Sequence, residues 1–352
     1  MFIIASINKG DILQSFKIAK IMGIPIELHI TFILLLILVY YFWGLGGFIL
    51  YVFLFTSVIL HELGHSYVAK KYGVTIEKIL LLPIGGVAMM DKIPKRGEFK
   101  IAIAGPIVSI LLGIMFIVIS NFFDFDILNI NGMVYPLFMT VGALNIMLGI
   151  FNLIPAFPMD GGRVLRALIS NKVGYLKATK IASTLGQYFS FLMLIFGIIT
   201  FNVILIFIAL FIYFGAYQEY NAVLSQKIYD KLKIKDIMSK NIVSVSPGTS
   251  VKDLIDLMFR YRYMGYPVVE NGTLVGSVSF NDISEVNDSI KVGDIMKAPV
   301  IVSENDDFNE LLDKIHDADR VYVVDNGKLK GIVSKTDIIR ILKLMGLKTN
   351  DA

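Results

Sequence analysis

The chain has 352 residues, of which 55% are hydrophobic and 18% charged, and its mean hydropathy is +0.69. This composition is too apolar for an ordinary soluble protein, and the length is sufficient for two domains. The net charge of +4 comes without a basic cluster interleaved with aromatic residues, so we expect no nucleic-acid partner, and the absence of cysteine excludes disulfides and thiolate metal ligands.

Six apolar stretches, all before residue 220, are long enough or nearly long enough to cross a bilayer. They cover about residues 26–43, 46–69, 99–121, 134–154, 178–199 and 201–219. Lys and Arg are frequent before the first stretch and after the second and fourth, but residues 44–47 and 121–133 contain none. By the positive-inside rule, we predict a multi-pass protein of the cell membrane with both termini in the cytoplasm.

The second stretch carries the sequence His61-Glu62-Leu63-Gly64-His65 near its end. Histidines four residues apart lie on one face of a helix, so both can bind one metal ion, and the glutamate between them can accept a proton from water at the metal. The pattern is a metalloprotease signature. The alternative is a polar helix end with satisfied histidines. We favour a metal site, because ionisable groups at membrane depth are costly unless they pair, bind metal or take part in catalysis.

Residues 79–90 are also apolar, but the run is short and is interrupted by Pro83 and by Gly85-Gly86. This length suits a re-entrant or edge-strand segment better than a span. An exposed edge beside a metal could pair with the backbone of an unwound substrate helix. The alternative is a loop at the membrane surface that packs on the helices.

Residues 152–162 close the fourth stretch with two prolines, one acid and two glycines. Such residues break a helix, and broken backbone is tolerated at membrane depth where it lines a cavity or is shielded by protein. Asp160 can then be a third metal ligand and leave the fourth position for water. Two imidazoles and one carboxylate are easier to assemble than a site that recruits His29 or His316. Alternatively, Asp160 caps the helix that starts near Gly162.

These motifs resemble those of the site-2 protease family of intramembrane zinc metalloproteases. The resemblance covers most of residues 15–220 and rests on residues 61–65, 104–109 and 152–162. It implies one Zn²⁺ per chain, held by His61, His65 and Asp160, and cleavage of a transmembrane protein substrate near the cytoplasmic face. Glu62 would be the general base, and Asn152 would bind the substrate carbonyl or the developing oxyanion. Departures from the usual second motif fall at residues 156, 157 and 159, and none of them is a proposed ligand.

After residue 220 the sequence becomes charged, and residues 234–286 are repeated as residues 292–345. Both copies contain Asp-Ile-Met, an Asn-Gly pair and the pattern Gly-x-x-Ser-x-x-Asp. Each copy is predicted to form strand, helix, strand, turn, strand and helix, with the turn at Asn-Gly. One copy is too small to bury its sheet, so we expect the two copies to pack face to face.

This half resembles a tandem pair of CBS domains. The resemblance implies a site for an adenine nucleotide (AMP, ADP or ATP) in which Asp282 and Asp337 contact ribose hydroxyls and Ser279 and Ser334 contact phosphate or ribose. A carboxylate can accept both sugar hydroxyls, and serine at a helix start can join backbone amides around an anion. The alternative is that both aspartates are helix caps in a purely structural dimerisation module. A bound nucleotide would regulate access of substrate to the membrane half.

The predicted fold is therefore an α-helical polytopic membrane bundle of six transmembrane helices, with a re-entrant β segment, joined to a soluble α/β tandem CBS pair in the cytoplasm. The predicted boundaries are 1–222 for the metalloprotease domain, 223–231 for a linker, and 232–287 and 288–345 for the CBS domains. Expected partners are the lipid bilayer, a transmembrane substrate and a second copy bound through the CBS pair. An ion transporter is disfavoured, because the ionisable residues cluster at one site instead of forming a pathway.

Overall fold

The structure, a computed structural model, describes residues 15–83, 85–91, 93–123, 128–130, 133–230, 232–284 and 286–341. The chain divides between Leu224 and Ser225 into two compact units. The predicted end of the second CBS domain, residues 342–345, the middle of the predicted loop 121–133 and the side chain of His316 lie outside the described part.

The N-terminal unit contains a four-stranded sheet whose second strand runs directly into a long helix. The elements are β1 (Ser15–Ile21), β2 (Ile24–His29), α1 (Ile30–Lys71), β3 (Ile76–Leu82) and β4 (Gly85–Met90). The strand order is β1-β2-β3-β4; β2 and β3 are parallel, and both outer pairs are antiparallel. The predicted segment 79–90 thus forms a β-hairpin, and β4 is the edge strand of the sheet as far as the described residues show.

Helix α1 is a helical hairpin and not one straight rod. Gly44 has φ 63° and ψ −160°, a conformation that glycine adopts without a side-chain clash. The rings of Phe32 and Phe55 lie 4.4 Å apart, whereas a straight helix would hold these positions roughly 35 Å apart at about 1.5 Å per residue. The two arms therefore fold back on each other and match the first two predicted stretches, except that residues 26–29 belong to β2.

The remaining predicted stretches overlap helices, except that residues 134–135 of the fourth belong to a short strand and that the last helix continues past Leu224. The elements are α2 (Glu98–Ser120), β5 (Leu128–Ile130), β6 (Met133–Tyr135), α3 (Leu137–Asn152), α4 (Asp160–Val173), α5 (Tyr175–Ile199) and α6 (Val203–Tyr229). Within the described residues, α1, α2, α5 and α6 are long and apolar enough to cross a membrane, and α3 is a shorter apolar helix. Helices α2 and α3 pack closely through glycine, since a Cβ on Gly113 would lie 2.8 Å from the Gly142 carbonyl oxygen.

The C-terminal unit is an α/β fold that contains two sequence copies. Its elements are α7 (Ile234–Ile237), α8 (Val251–Tyr261), β7 (Gly265–Glu270), β8 (Thr273–Ser279), α9 (Phe280–Ile283), α10 (Val292–Ile295), β9 (Ile301–Val302), α11 (Phe308–Asp317), β10 (Arg320–Asp325) and β11 (Lys328–Ser334). Residues 335–341 are also helical. The sheet order is β7-β8-β11-β10-β9. Each of the two buried apolar clusters is built mainly by one copy but includes residues from the start of the other, with Ile234 and Ile237 in the cluster of the second copy and Val292 in that of the first.

The Asn-Gly turns form as predicted. Both residues of each turn have positive φ, with 50° and 81° at Asn271 and Gly272 and 48° and 78° at Asn326 and Gly327, which is the backbone of a two-residue hairpin turn. The predicted first strand of each copy is much shorter than expected. In the first copy it is a single bridge at Val245, and in the second it is the two-residue β9.

Candidate metal centre

Three side chains from distant parts of the chain meet at one point of the N-terminal unit. His61 and His65 project from the second arm of α1, and Asp160 is the first residue of α4. Asp160 Oδ2 lies 3.2 Å from His61 Nε2 and 3.1 Å from His65 Nε2, and the two Nε2 atoms are 3.1 Å apart. Both histidines are 5% exposed. Asp160 therefore begins the helix and at the same time faces both imidazoles.

The outer nitrogens of both rings are held by α2. His65 Nδ1 lies 2.6 Å from the carbonyl oxygen of Ile101, and His61 Nδ1 lies 2.8 Å from Ser109 Oγ. A carbonyl only accepts hydrogen bonds, so His65 Nδ1 is the protonated nitrogen, and in the neutral ring Nε2 presents a lone pair. Histidines that bind metal are held by their second nitrogen in this way.

The arrangement fits a zinc ion. The Nε2 lone pair of His65 faces the Asp160 carboxylate and His61 Nε2, and such electron-rich atoms repel each other unless a proton or a cation lies between them. Ligand atoms about 2.0–2.2 Å from a tetrahedral zinc ion are roughly 3.3–3.6 Å from one another. The observed separations of 3.1–3.2 Å need to widen by only a few tenths of an ångström. Two imidazoles and one carboxylate also leave the fourth position open.

Gly105 leaves the space in which these atoms meet. A Cβ at this position in α2 would lie 2.2 Å from His65 Nε2 and 2.6 Å from His61 Nε2. No side chain larger than hydrogen fits there without displacing the imidazoles. The motif at residues 104–109 contributed to the family resemblance, but the sequence alone assigned no role to Gly105, and the structure shows it to be part of the site wall.

Glu62 lies between the two histidines in the sequence and is packed against the edge strand β4. A Cβ on Gly86 would lie 3.0 Å from Glu62 Cγ and 3.0 Å from Val58 Cγ1, so glycine allows β4 to approach α1 closely. Glu62 Oε2 is buried and has no hydrogen-bond partner within the described part of the chain. A buried acceptor of this kind is available to a water molecule or a substrate group.

Asn152 and His29 have other contacts. Asn152 Nδ2 donates to the carbonyl oxygen of Leu148 within α3, so the predicted contact of Asn152 with substrate stays a prediction. His29 is the N-cap of α1, where Nδ1 accepts from the backbone N–H of Thr31 at 3.3 Å.

A buried charge network lies beside the centre, and sequence reasoning missed it. It is formed by Arg163 and Arg166 of α4, Glu98 of α2 and Glu219 of α6. The sequence alone indicates only that both arginines belong to a predicted positive loop on the cytoplasmic side. Their partners are far away in the chain, so no local pattern could reveal the pairing.

In the C-terminal unit, the four predicted nucleotide-contacting residues form two equivalent capping pairs. Ser279 Oγ donates to Asp282 Oδ2 at 2.5 Å, and Ser334 Oγ donates to Asp337 Oδ2 at 2.6 Å. Lys297 Nζ also contacts Asp282 Oδ1 at 2.5 Å. Burial opposes ionisation of Asp282, but the hydrogen bonds from Lys297 and Ser279 outweigh it and lower the pKa of the carboxyl. The alternative role as helix caps is therefore present in the structure, and the nucleotide contacts stay predictions.

Comparison with known proteins gives two families along the chain. Residues 49–129 and 123–196 match Peptidase family M50, and residues 234–288 and 292–344 match the CBS domain. A zinc metalloprotease from Methanocaldococcus jannaschii is 55% identical over 342 residues, which cover 95% of this chain and 98% of that protein.

Two solved structures are also similar. A site-2 protease from Methanocaldococcus jannaschii is 61% identical, with 58% of this chain and 95% of that chain covered and a TM-score of 0.48. CBSX2, solved in complex with AMP, is 28% identical, with 32% of this chain and 98% of that chain covered and a TM-score of 0.30.

The apolar helices, the His-His-Asp cluster, the two family matches and the 55% identical zinc metalloprotease define the chain as an enzyme, a zinc metalloprotease with a CBS domain pair. It belongs to peptidase family M50, the site-2 protease family. The resemblance stated from the sequence is thereby confirmed.

Proposed function

We propose that the enzyme cleaves transmembrane segments of membrane-anchored proteins at a zinc ion held by His61, His65 and Asp160, near the cytoplasmic face of the bilayer. The observation that carries this proposal is the convergence of these three ligand atoms, two of which belong to α1, a helix that is apolar enough to lie in lipid. A buried site of this kind excludes bulk water, so substrate and water must be admitted to it together.

The residues of the site have distinct tasks in this proposal. Zinc, when bound, supplies Lewis acidity towards the peptide carbonyl and towards a water molecule. Glu62 accepts the proton of the attacking water and returns it to the leaving amine. Ser109 and the Ile101 carbonyl hold the outer nitrogens of the histidines and so fix the directions of the ligand atoms. Asn152 is assigned the substrate carbonyl or the developing oxyanion.

Strand β4 is the proposed site of substrate pairing. It is an edge strand of the described sheet, and it packs against Glu62 through Gly86. An unwound substrate segment added to this edge would gain backbone hydrogen bonds and would lie beside the general base. In this proposal the hairpin of β3 and β4 is re-entrant.

The proposed topology has six crossings, with each arm of α1 counted once and α2, α3, α5 and α6 contributing one each. The distribution of Lys and Arg supports cytoplasmic termini, and the CBS pair would then also be cytoplasmic. The boundaries proposed for the domains remain those given from the sequence. A second copy bound through the CBS pair is the proposed assembly.

Removal of zinc tests the proposed activity. Purified protein in detergent, incubated with a pool of single-span membrane peptides, is expected to cut a subset of them, to stop when a zinc chelator is added and to resume when zinc is restored. Products are read by mass spectrometry, with the His61→Ala variant as the inactive control. Peptides left intact by zinc-loaded, folded protein, with ion flux into vesicles instead, would favour the transporter reading and contradict the proposal.

We also propose that the CBS pair binds an adenine nucleotide and regulates substrate access. The support is the position of the two Ser-Asp pairs, each at the junction of a strand and a helix. Asp337→Ala in the full chain is expected to weaken AMP binding about 10-fold or more, since it removes a charged hydrogen-bond acceptor. Calorimetry with AMP, ADP and ATP provides the measurement.

A matched control for this substitution exists in α8. Ser250 Oγ and Asp253 form the same type of capping pair at 2.7 Å, but outside the Gly-x-x-Ser-x-x-Asp pattern. Asp253→Ala removes the carboxylate that Ser250 contacts but keeps the bond from the Asp253 backbone N–H to Ser250 Oγ. It should therefore lower stability by less than about 1 kcal/mol and leave nucleotide affinity unchanged. Equal AMP affinity in wild type and Asp337→Ala would show that Asp337 is a cap alone.

A further inference from the structure

Helix α2 contacts both histidines of the proposed zinc site, and it also reaches the helix that carries the third ligand. Its Ile101 carbonyl and Ser109 hydroxyl hold the outer nitrogens of His65 and His61. In its first turn, Glu98 accepts a hydrogen bond from Arg166 Nε of α4 at 2.7 Å, and a second guanidinium nitrogen contacts the same oxygen. One helix is therefore connected to all three ligands.

Because Glu98 and Arg166 are both buried, their contact must be maintained for either charge to be tolerated. The two side chains are 5% and 6% exposed, and an ionised group at such a position is costly unless its partner is in place. The geometry of the pair is restricted further, because the Arg166 guanidinium lies 4.8 Å from the ring centre of Phe157 and 4.7 Å from that of Tyr175. Phe157 belongs to the loop that leads into Asp160, so Arg166 fixes this loop as well as the helix.

A second ion pair continues the network from α4 to α6. Arg163 Nη2 donates to Glu219 Oε1 of α6 at 3.2 Å, and Arg166 Nη1 lies 3.8 Å from Glu219 Oε2. The first turns of α4, which begin with Asp160, are thus bound by charge to α2 and to α6. Of these two links, as far as the described contacts show, only the one to α2 reaches a helix that also contacts His61 and His65.

We propose that Glu98 and Arg166 are positioning residues of the metal centre, whose buried ion pair sets the distance of Asp160 from the two histidines. The inference rests on the proposed zinc site. Zinc binding requires ligand positions defined to within a few tenths of an ångström, and loss of an outer contact of this type weakens metal affinity by about 10- to 100-fold. Neither residue is one of the three that supply the converging ligand atoms.

The test compares zinc affinity with stability in three variants of the full chain. Glu98→Gln and Arg166→Met are each expected to weaken zinc binding about 10- to 100-fold. The double variant should lose a similar amount of zinc affinity, because the link is already broken, but it should be more stable than either single variant, because no lone charge stays buried. Competition with a chelator measures the affinity, and thermal unfolding of zinc-free protein measures the stability.

Glu27→Gln is the matched control. Glu27 also forms a partly buried ion pair in this unit, with Lys78 Nζ at 2.7 Å, but it lies in the sheet and not on a helix that contacts the ligands. This variant should lower the temperature of thermal unfolding and leave zinc affinity unchanged. Arg166→Lys keeps the buried charge and is expected to remain folded with an intermediate loss of zinc affinity, so it decides the matter if Glu98→Gln does not fold.

The outcomes separate this inference from the proposed function. Zinc affinity equal to that of the wild type in folded Glu98→Gln and Arg166→Lys would overturn the positioning role and leave the zinc site intact. A loss of affinity that is the same in Glu27→Gln would also overturn it, since the effect would then follow general stability. Wild-type protein that binds no zinc would overturn the proposed zinc site and the positioning role with it.

Discussion

The Glu62→Gln variant is expected to bind zinc like the wild type and to lose cleavage activity by about 10²- to 10⁴-fold, the usual contribution of a general base. Glutamine has the same shape but cannot accept the water proton. Glu62 is not among the three converging ligand atoms, so the metal should stay in place. Turnover of a cleaved membrane peptide and zinc content per chain, measured on the same sample, test both halves of this expectation.

Two further variants serve as controls for Glu62→Gln. His61→Ala removes one of the three ligand atoms and should lose both zinc and cleavage, because the two remaining groups cannot hold the ion in the same geometry. Glu77→Gln changes an exposed glutamate of β3 and should alter neither. Full cleavage by purified Glu62→Gln protein would contradict the role assigned to Glu62, whereas loss of zinc from this variant would assign the residue to the metal shell.

The same variant can also identify the substrate. Cells that contain Glu62→Gln in place of the wild-type enzyme should accumulate the uncleaved precursors. Their membrane peptides, compared with those of wild-type cells by mass spectrometry, would name the protein that is cut.

The three residues of the proposed zinc site could be named from the sequence because their geometry is local or their motif is specific. Helical spacing alone places His61 and His65 on one face, and the broken helix around Asp160 signals a residue that is free to reach the site. The structure brings these three side chains together, and no long-range information was needed to nominate them. The roles of the surrounding residues depend on contacts between segments that are distant in the sequence.

Two features of the fold differ from what the sequence predicts, namely the start of the first span and the environment of two arginines. Residues 26–29 stand at the start of the first predicted span, but they form the end of β2. Their sequence, Ile-Glu-Leu-His, alternates apolar and polar residues, which is the pattern of a strand and not of a span. Likewise Arg163 and Arg166 look like the positive residues of a cytoplasmic loop. Their partners Glu98 and Glu219 belong to other helices, and only the folded chain shows that these charges are buried and paired.

The Gly105→Ala variant is expected to abolish tight zinc binding, and cleavage with it, through the addition of one methyl group. The new carbon would lie 2.2 Å from His65 Nε2 and 2.6 Å from His61 Nε2, closer than any non-bonded contact allows. The imidazoles must move, and α2 cannot retreat easily because Ile101 and Ser109 hold the same rings. We expect zinc affinity to fall by more than about 100-fold, the upper end of the range for lost outer contacts, because the ligand atoms themselves are displaced.

Gly113→Ala is the control for this variant, because it makes the same change in the same helix. Its Cβ would lie 2.5 Å from Ile146 Cγ1 and 2.8 Å from the Gly142 carbonyl oxygen, so it disturbs the contact of α2 with α3 and not the metal centre. It should destabilise the protein by about 1–3 kcal/mol, as overpacking does, and keep zinc in the fraction that folds. Chelator competition and thermal unfolding on both variants measure the contrast. Normal zinc affinity in Gly105→Ala would mean that the ligands meet elsewhere, and the proposed centre would have to be abandoned.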